Sequence, residues 1–117
     1  MTDIVTAYLA TWNETDPAAR RQLLDEHWAA DVSYVDPLMA ATGRDQLEAA
    51  IAGVQQQFPG FVFSEHGPAD GHHKQVRFGW ALGPEGVEAP VLGFDVVVTD
   101  DSGRIASVLG FLDKVPA

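Results

Sequence analysis

The feature of this sequence that most constrains its fold is a change in hydrophobic periodicity at Pro59-Gly60. Before this point apolar residues recur every three or four positions, which is the spacing of amphipathic helices. After it, segments rich in valine and phenylalanine alternate with turn sequences such as PADGHH, GPEG and DDSG, which indicates strands. Helices followed by strands predict the α+β class, with one sheet wrapped around the helices.

Three helices are predicted before this change. Tyr8 and Trp12 belong to the apolar stripe of the first helix, and the sequence NETDP ends that helix. The second helix runs from about Pro17 to Trp28, since proline is well tolerated at the first helical position. A short strand over residues 31–37 follows, and the third helix covers residues 41–60.

Four antiparallel strands are predicted after the change, at about 61–67, 74–82, 89–99 and 104–115. In the last two strands both alternating sets of residues are apolar, with Leu92 and Phe94 in one set and Val91 and Val97 in the other. A sheet that is apolar on both faces needs cover on both. The helices cover one face, and we expect a second copy of the chain to cover the other, giving a homodimer through the sheet.

The composition excludes several classes of function. At 117 residues the chain is expected to form a single domain over residues 1–117. Its formal net charge is −10, from 17 acidic and 7 basic residues, which argues against nucleic acids and anionic membranes as partners. No apolar run approaches the roughly 20 residues that span a bilayer, and without cysteine there are no disulfides or thiol nucleophiles. We therefore expect a cytoplasmic protein.

Two aspartates stand out because they lie next to or within apolar strands. Asp36 ends the first strand and precedes Pro37, so it either opens a turn or serves as an acid or base at the mouth of a pocket. Asp95 lies inside the apolar sequence VLGFDVVV, where a buried carboxylate needs a partner and an edge position would instead expose it to water. The residues alone leave both alternatives open.

The order of elements resembles the nuclear transport factor 2-like superfamily, which includes the SnoaL-like polyketide cyclases and the Δ5-3-ketosteroid isomerases. The resemblance rests on AYLATWNETD, ADVSYVDP, TGRDQLEAAI and GFDVVVTDDSGRIASV, and it covers essentially the whole chain. It implies a cone-shaped α+β barrel, in which three N-terminal helices pack on a strongly curved mixed or antiparallel sheet around one apolar pocket.

The resemblance also implies a set of catalytic residues. The isomerases carry a tyrosine on the first helix, an aspartate before a proline and a second aspartate on the next-to-last strand, and Tyr8, Asp36 and Asp95 stand at these places. In the isomerases the first aspartate is a general base, while the tyrosine and a protonated second aspartate stabilise the enolate oxygen. A supporting tyrosine of the isomerases would fall near Ile51, which is apolar here.

The pocket walls are expected to come from both halves of the chain. The resemblance implies that Val108, Gly110 and Leu112 face the cavity, where Gly110 would leave room for a ligand ring. His66 is an alternative acid or base. His72 and His73 are adjacent and would point to opposite faces of a strand, so we predict no metal site. Abstraction and return of a proton by one aspartate needs no cofactor either. The predicted substrate-binding residues are Trp12, Tyr34, Phe58, His66, Trp80, Val108, Gly110 and Leu112.

Two classes of function fit these observations. The first is a cofactor-independent isomerase or cyclase that transfers protons on a lipophilic carbonyl compound. The second is a non-catalytic dimeric protein that binds a small hydrophobic molecule. Epoxide hydrolysis fits less well because it needs an arginine between two carboxylates, and Arg77 has the opposite strand parity to Phe78 and Trp80.

Overall fold

The computed structural model of the protein describes residues 2–116. The second helix begins as predicted, since Pro17 is its first residue and the Asp16 carboxylate accepts a hydrogen bond from the backbone N–H of Ala19 at 2.9 Å. No helix in the described part of the chain is long and apolar enough to cross a membrane. The three helices are α1 (Thr2–Asn13), α2 (Pro17–His27) and α3 (Gly43–Gln57).

The strands form a mixed sheet in the order β2-β1-β7-β6-β5-β3, and β4 pairs separately with β5. β1 runs parallel to β7, and the other pairs are antiparallel. The α+β class, with three helices packed on one curved sheet, is therefore confirmed. The strands are β1 (Trp28–Val35), β2 (Ala40–Thr42), β3 (Phe61–Glu65), β4 (Asp70–His72), β5 (Gln75–Pro84), β6 (Val91–Thr99) and β7 (Ile105–Lys114).

The structure differs from the sequence prediction at three strands. β1 begins at Trp28, directly after α2, and the register of its pairing with β7 shifts between Trp28 and Ser33. This irregularity breaks the alternation of buried and exposed residues that would have extended the predicted strand. The strands β2 and β4 were not predicted, because three residues carry too little periodicity to be recognised.

The two faces of β6 have different surroundings. The inward-facing residues Val91, Asp95 and Val97 are buried, and the two valines belong to one continuous hydrophobic core that includes Leu24 of α2 and Ile51 of α3. On the outer face Phe94 stacks on Phe111 of β7, with ring centroids 4.8 Å apart. Phe111 remains 48% exposed, so the outer face is apolar and only partly covered.

Candidate functional site

An apolar cavity of about 360 Å³ lies between α1, α3 and the inner face of the sheet. This volume falls within the range of pockets that bind small molecules. Six aromatic side chains contribute to its wall, and Asp36 and Asp95 are the charged residues in its lining. The lining residues are Tyr8, Trp12, Tyr34, Asp36, Leu38, Met39, Val54, Phe58, Phe63, Trp80, Leu82, Val91, Asp95, Leu112, Val115 and Pro116.

Asp95 is a buried carboxylate on β6, with 2% of its surface exposed. The Tyr8 hydroxyl donates to its Oδ2 atom, and the Trp80 indole Nε1–H donates to its Oδ1 atom at 3.2 Å. Burial raises the pKa of Asp95 to about 6, the hydrogen bonds from Tyr8 and Trp80 oppose the rise, and the charge of Asp36 adds to it. Asp95 can therefore exchange a proton near neutral pH, unlike an ordinary aspartate.

Tyr8 supplies this hydroxyl from the buried face of α1. Burial raises the pKa of Tyr8 well above its ordinary value, and the negative charge of Asp95 raises it further. The ring is packed tilted against Trp28 and edge-on against Phe78, at centroid distances of 5.2 and 4.9 Å. Tyr8 is therefore a neutral hydrogen-bond donor whose position is fixed by the core.

Asp36 both forms a turn and lines the cavity. Its Oδ1 atom accepts the backbone N–H groups of Leu38 and Met39 at 2.8 and 2.9 Å, which closes the turn between β1 and β2. Its Oδ2 atom accepts the Tyr34 hydroxyl at 2.7 Å. These three donors leave one lone pair on Oδ2 free to take a proton.

Tyr34 connects the two carboxylates. It lies two residues before Asp36 on β1, so both side chains are on the same side of the strand. Burial raises the pKa of Tyr34, and the charges of Asp95 and Asp36 raise it as well. Each tyrosine hydroxyl donates its proton to one carboxylate, Tyr34 to Asp36 and Tyr8 to Asp95. Asp36, Tyr34, Tyr8 and Asp95 thus form one polar row along the cavity wall.

Gly110 lies beside this row rather than in the cavity lining. It pairs with Asp95 across β6 and β7. A Cβ atom at Gly110 would lie 2.8 Å from Asp95 Oδ1, which is closer than real Cβ contacts come, and 3.1 Å from Asp36 Cβ, which is tight. The missing side chain therefore makes room for the two carboxylates, whereas the sequence prediction had reserved that space for a ligand ring.

The structure brings most of the predicted site residues together. Tyr8, Asp36 and Asp95 line the cavity, together with five of the residues predicted to bind substrate: Trp12, Tyr34, Phe58, Trp80 and Leu112. His66 does not line it, because β3 ends at Glu65 and His66 is exposed beyond that end. Val108 is also outside the lining, since its side chain is buried in the core with 1% exposure.

Other lining residues were missed by the sequence prediction. Leu82 has the same strand parity as Trp80, and this signal would have placed it on the inner face of β5. Met39 and Val115 lie outside the helices and strands, where no periodicity indicates which way a side chain points. Within residues 2–116 no group of three or more histidine, aspartate or glutamate side chains is arranged to hold a metal ion.

Comparison with known proteins shows the same family in a family model and in a solved structure. Residues 5–108 match the family model of the SnoaL-like domain. A proposed isomerase of the SnoaL-like family from Agrobacterium tumefaciens is 42% identical, with a TM-score of 0.91 and 96% of each chain covered. No curated protein matches the sequence significantly.

More distant solved structures share the fold. A SnoaL-like protein of unknown function from Burkholderia thailandensis is 16% identical, with a TM-score of 0.75, and the match covers 96% of this chain and 93% of the other. A proposed polyketide cyclase from Sinorhizobium meliloti is 17% identical, with a TM-score of 0.72 over 92% of this chain and 93% of the other. At these identities the likeness concerns the fold alone.

Proposed function

Because this chain belongs to the SnoaL-like family of the nuclear transport factor 2-like superfamily, we propose that it is a cofactor-independent acid–base enzyme acting on a lipophilic carbonyl compound. Its reaction would be a proton transfer of the isomerase or cyclase type. The observation that supports this most is the buried Asp95 carboxylate, which Tyr8 and Trp80 hold on the wall of an apolar cavity that also contains Asp36. Titratable groups with raised pKa values in a cavity are candidates for acid–base catalysis.

Asp36 is the base in the proposed reaction. The free lone pair on its Oδ2 atom accepts a proton from the carbon next to the substrate carbonyl, and the electrons of the broken C–H bond move to the carbonyl oxygen as an enolate. The Leu38 and Met39 N–H groups keep the carboxylate in place during this step. Asp36 then returns the proton to the same or another carbon, so the reaction is balanced without a cofactor.

Tyr8 and Asp95 stabilise the enolate oxygen. An enolate forming in an apolar cavity needs hydrogen-bond donors that are already in position. While Asp95 is ionised, the Tyr8 hydroxyl donates to it. Once Asp95 is protonated, its own O–H and that of Tyr8 are both available to a ligand oxygen, and the Trp80 N–H continues to hold the carboxyl group.

A non-catalytic binding protein is the second candidate. One observation favours it: three of the four hydrogen-bonding positions of Asp36 are already occupied by the turn and by Tyr34, so this carboxylate has a structural role that needs no substrate. A plain binding protein would take apolar ligands with little dependence on pH, whereas a proton-transfer site would bind phenols, which resemble enolates, in a manner that depends on pH and on Asp95.

The experiment that tests catalysis is ultraviolet-monitored isomerisation of a 5-ene-3-keto steroid. The wild type is expected to turn over, and Asp36→Asn is expected to lose about 10²- to 10⁴-fold in rate, as is typical when a general base is removed. Asp31→Asn, which changes an exposed aspartate on the same strand, is the matched control and should keep its rate. No turnover by a wild type that still binds phenols would exclude the isomerase and leave the cyclase or the binding protein.

We also propose that the chain forms a homodimer through the outer face of the sheet. Phe94 and Phe111 stack there, and Leu109 and Val35 on neighbouring strands are 47% and 51% exposed. Contiguous exposed apolar residues on a sheet are typical of protein interfaces. Light scattering should give the mass of two chains for the wild type and of one chain for Phe111→Lys. Val87→Lys, an exposed apolar residue outside this face, is the control, and a monomeric wild type would contradict the proposal.

A further inference from the structure

The indole N–H groups of the three tryptophans are satisfied to different degrees. Trp28 donates to the Thr11 hydroxyl at 3.0 Å, and Trp80 donates to Asp95 at 3.2 Å. The Nε1–H of Trp12 is buried and has no acceptor among the residues that the structure describes. Folded proteins leave few buried donors unpaired, because such a group loses its hydrogen bond to water without replacement.

The position of this donor points to a ligand. Trp12 is 3% exposed and lines the cavity, with its ring packed against Tyr34 and Phe63 at centroid distances of 5.5 Å each. The nearby polar side chains are already engaged. Asn13 exchanges hydrogen bonds with the backbone of Phe63, and Gln55 donates to the backbone oxygen of Trp12 itself. The Trp12 N–H is therefore an unused donor on a residue that lines the otherwise apolar cavity.

The distance between this donor and the carboxylates is set by α1. Trp12 lies four residues after Tyr8, so the two side chains leave the same face of the helix one turn apart. Their ring centroids are 6.3 Å apart. A ligand whose carbonyl oxygen is at Tyr8 and Asp95 can extend along α1 and place a second polar atom beside Trp12.

We infer that Trp12 determines specificity by donating a hydrogen bond to a second acceptor on the ligand, separate from the reacting carbonyl. This inference rests on the proposed function for the position of the first oxygen. An indole N–H donates and does not accept, so the second group must be an acceptor. It must also be neutral, because the charged residues of the cavity lining are the carboxylates Asp36 and Asp95. The ligand class is therefore a lipophilic carbonyl compound with a second ketone, ester, ether or hydroxyl oxygen.

Two phenols that differ only in the second acceptor test this inference. 4-(4-Hydroxyphenyl)butan-2-one carries a ketone on its side chain, and 4-butylphenol has the same chain length without the ketone. Each is titrated into ¹⁵N-labelled protein, and the three indole N–H resonances are followed separately. We expect the Trp12 proton to move downfield with the ketone and not with the alkylphenol, while the Trp28 proton stays in place with both.

Affinities give a second measurement that corrects for the greater hydrophobicity of the alkylphenol. The ratio of the two affinities should shift against the ketone by about five- to tenfold in Trp12→Phe, which keeps an aromatic ring and removes the donor. Trp28→Phe, whose indole already has a partner, should leave the ratio unchanged. If Trp12→Phe does not fold, the inference is tested by the indole resonances of the wild type alone.

Equal movement of the Trp12 resonance with both phenols, or an unchanged affinity ratio in Trp12→Phe, would overturn the inference. Binding of both phenols that still depends on Asp95 would then leave the proposed function intact. If neither phenol binds, the proposed function is contradicted, and the inference about Trp12 is then tested with a ligand that is not a phenol. The phenol-free ketone 2-nonanone then decides the inference: a downfield shift of the Trp12 proton supports it, and no shift overturns it.

Discussion

Asp36 and Asp95 lie on the wall of the same cavity, yet the protein holds them by different means. Asp36 is anchored mainly by backbone N–H groups of its own turn and is half-buried. Asp95 is anchored by side chains from α1 and β5 and is 2% exposed. The buried strand position raises the pKa of Asp95, so this carboxylate takes up a proton more readily than an ordinary aspartate. The proposed base and the proposed acid are thus the same side chain in two different surroundings.

The largest expected effect concerns stability and Asp95. Its pKa is raised from 3.8 to about 6 on folding, so its favourable contribution is complete below about pH 3.8 and is lost as pH rises through about 6. Between pH 4 and 8 the wild type should therefore lose about 2 kcal/mol of unfolding free energy relative to Asp95→Asn. Urea unfolding of both proteins at several pH values measures this. A constant difference would mean that Asp95 titrates like an exposed aspartate.

The next effect is on the rate. If protonated Asp95 is the donor to the enolate, kcat/KM should fall about tenfold per pH unit above pH 6, hence about 100-fold by pH 8. In Asp95→Asn the amide is a permanent neutral donor, so the profile should be flat over this range at a lower plateau. A wild-type kcat/KM that does not change with pH over this range would show that protonated Asp95 is not the donor to the enolate.

Gly110→Ala tests the close approach of the two carboxylates. The new Cβ atom would lie 2.8 Å from Asp95 Oδ1, and Asp95 cannot easily move because Tyr8 and Trp80 hold it. We expect a loss of about 2 kcal/mol in unfolding free energy, the usual cost of overpacking a buried site. Gly53→Ala is the control, since a Cβ atom there meets nothing within 4 Å. Equal stability of the two variants would contradict the described spacing.

The smallest expected effect distinguishes the two kinds of donor that hold Asp36, which are the Tyr34 hydroxyl and the backbone N–H groups of the turn. Tyr34→Phe removes the hydroxyl that donates to Asp36 Oδ2 and keeps the ring. It should lower the unfolding free energy by about 1 kcal/mol, a typical value for one hydrogen bond. Because the Leu38 and Met39 N–H groups still hold Asp36, the rate should fall less than in Asp36→Asn. If the rate falls by the same factor in Tyr34→Phe and in Asp36→Asn, then Tyr34 and not the turn positions the base.

Much of this arrangement could be predicted from the sequence. The parts that could not be predicted are set by the register in which the strands pair. Periodicity separated the helices from the strands, and the local motifs pointed to Tyr8, Asp36 and Asp95, whose catalytic roles stay a prediction. The bond between Trp80 and Asp95 depends on the register of β5 against β6. The spacing at Gly110 likewise depends on how β7 lies against both β6 and the end of β1. Such registers depend on the geometry of the turns and on which face of each strand is buried, and the short motifs do not reveal either.

The parallel pairing of β1 with β7 also bears on how the protein folds. β7 lies between β1 and β6, although about 70 residues separate β1 from β7 along the chain. During synthesis the helices and the hairpins that join β5 to β6 and β6 to β7 can form early, because their contacts are local. The wall that carries Asp36, Gly110 and Asp95 closes only when β1 pairs with β7. Assembly of the polar row is therefore a late event, tied to the slowest and least local contacts of the fold.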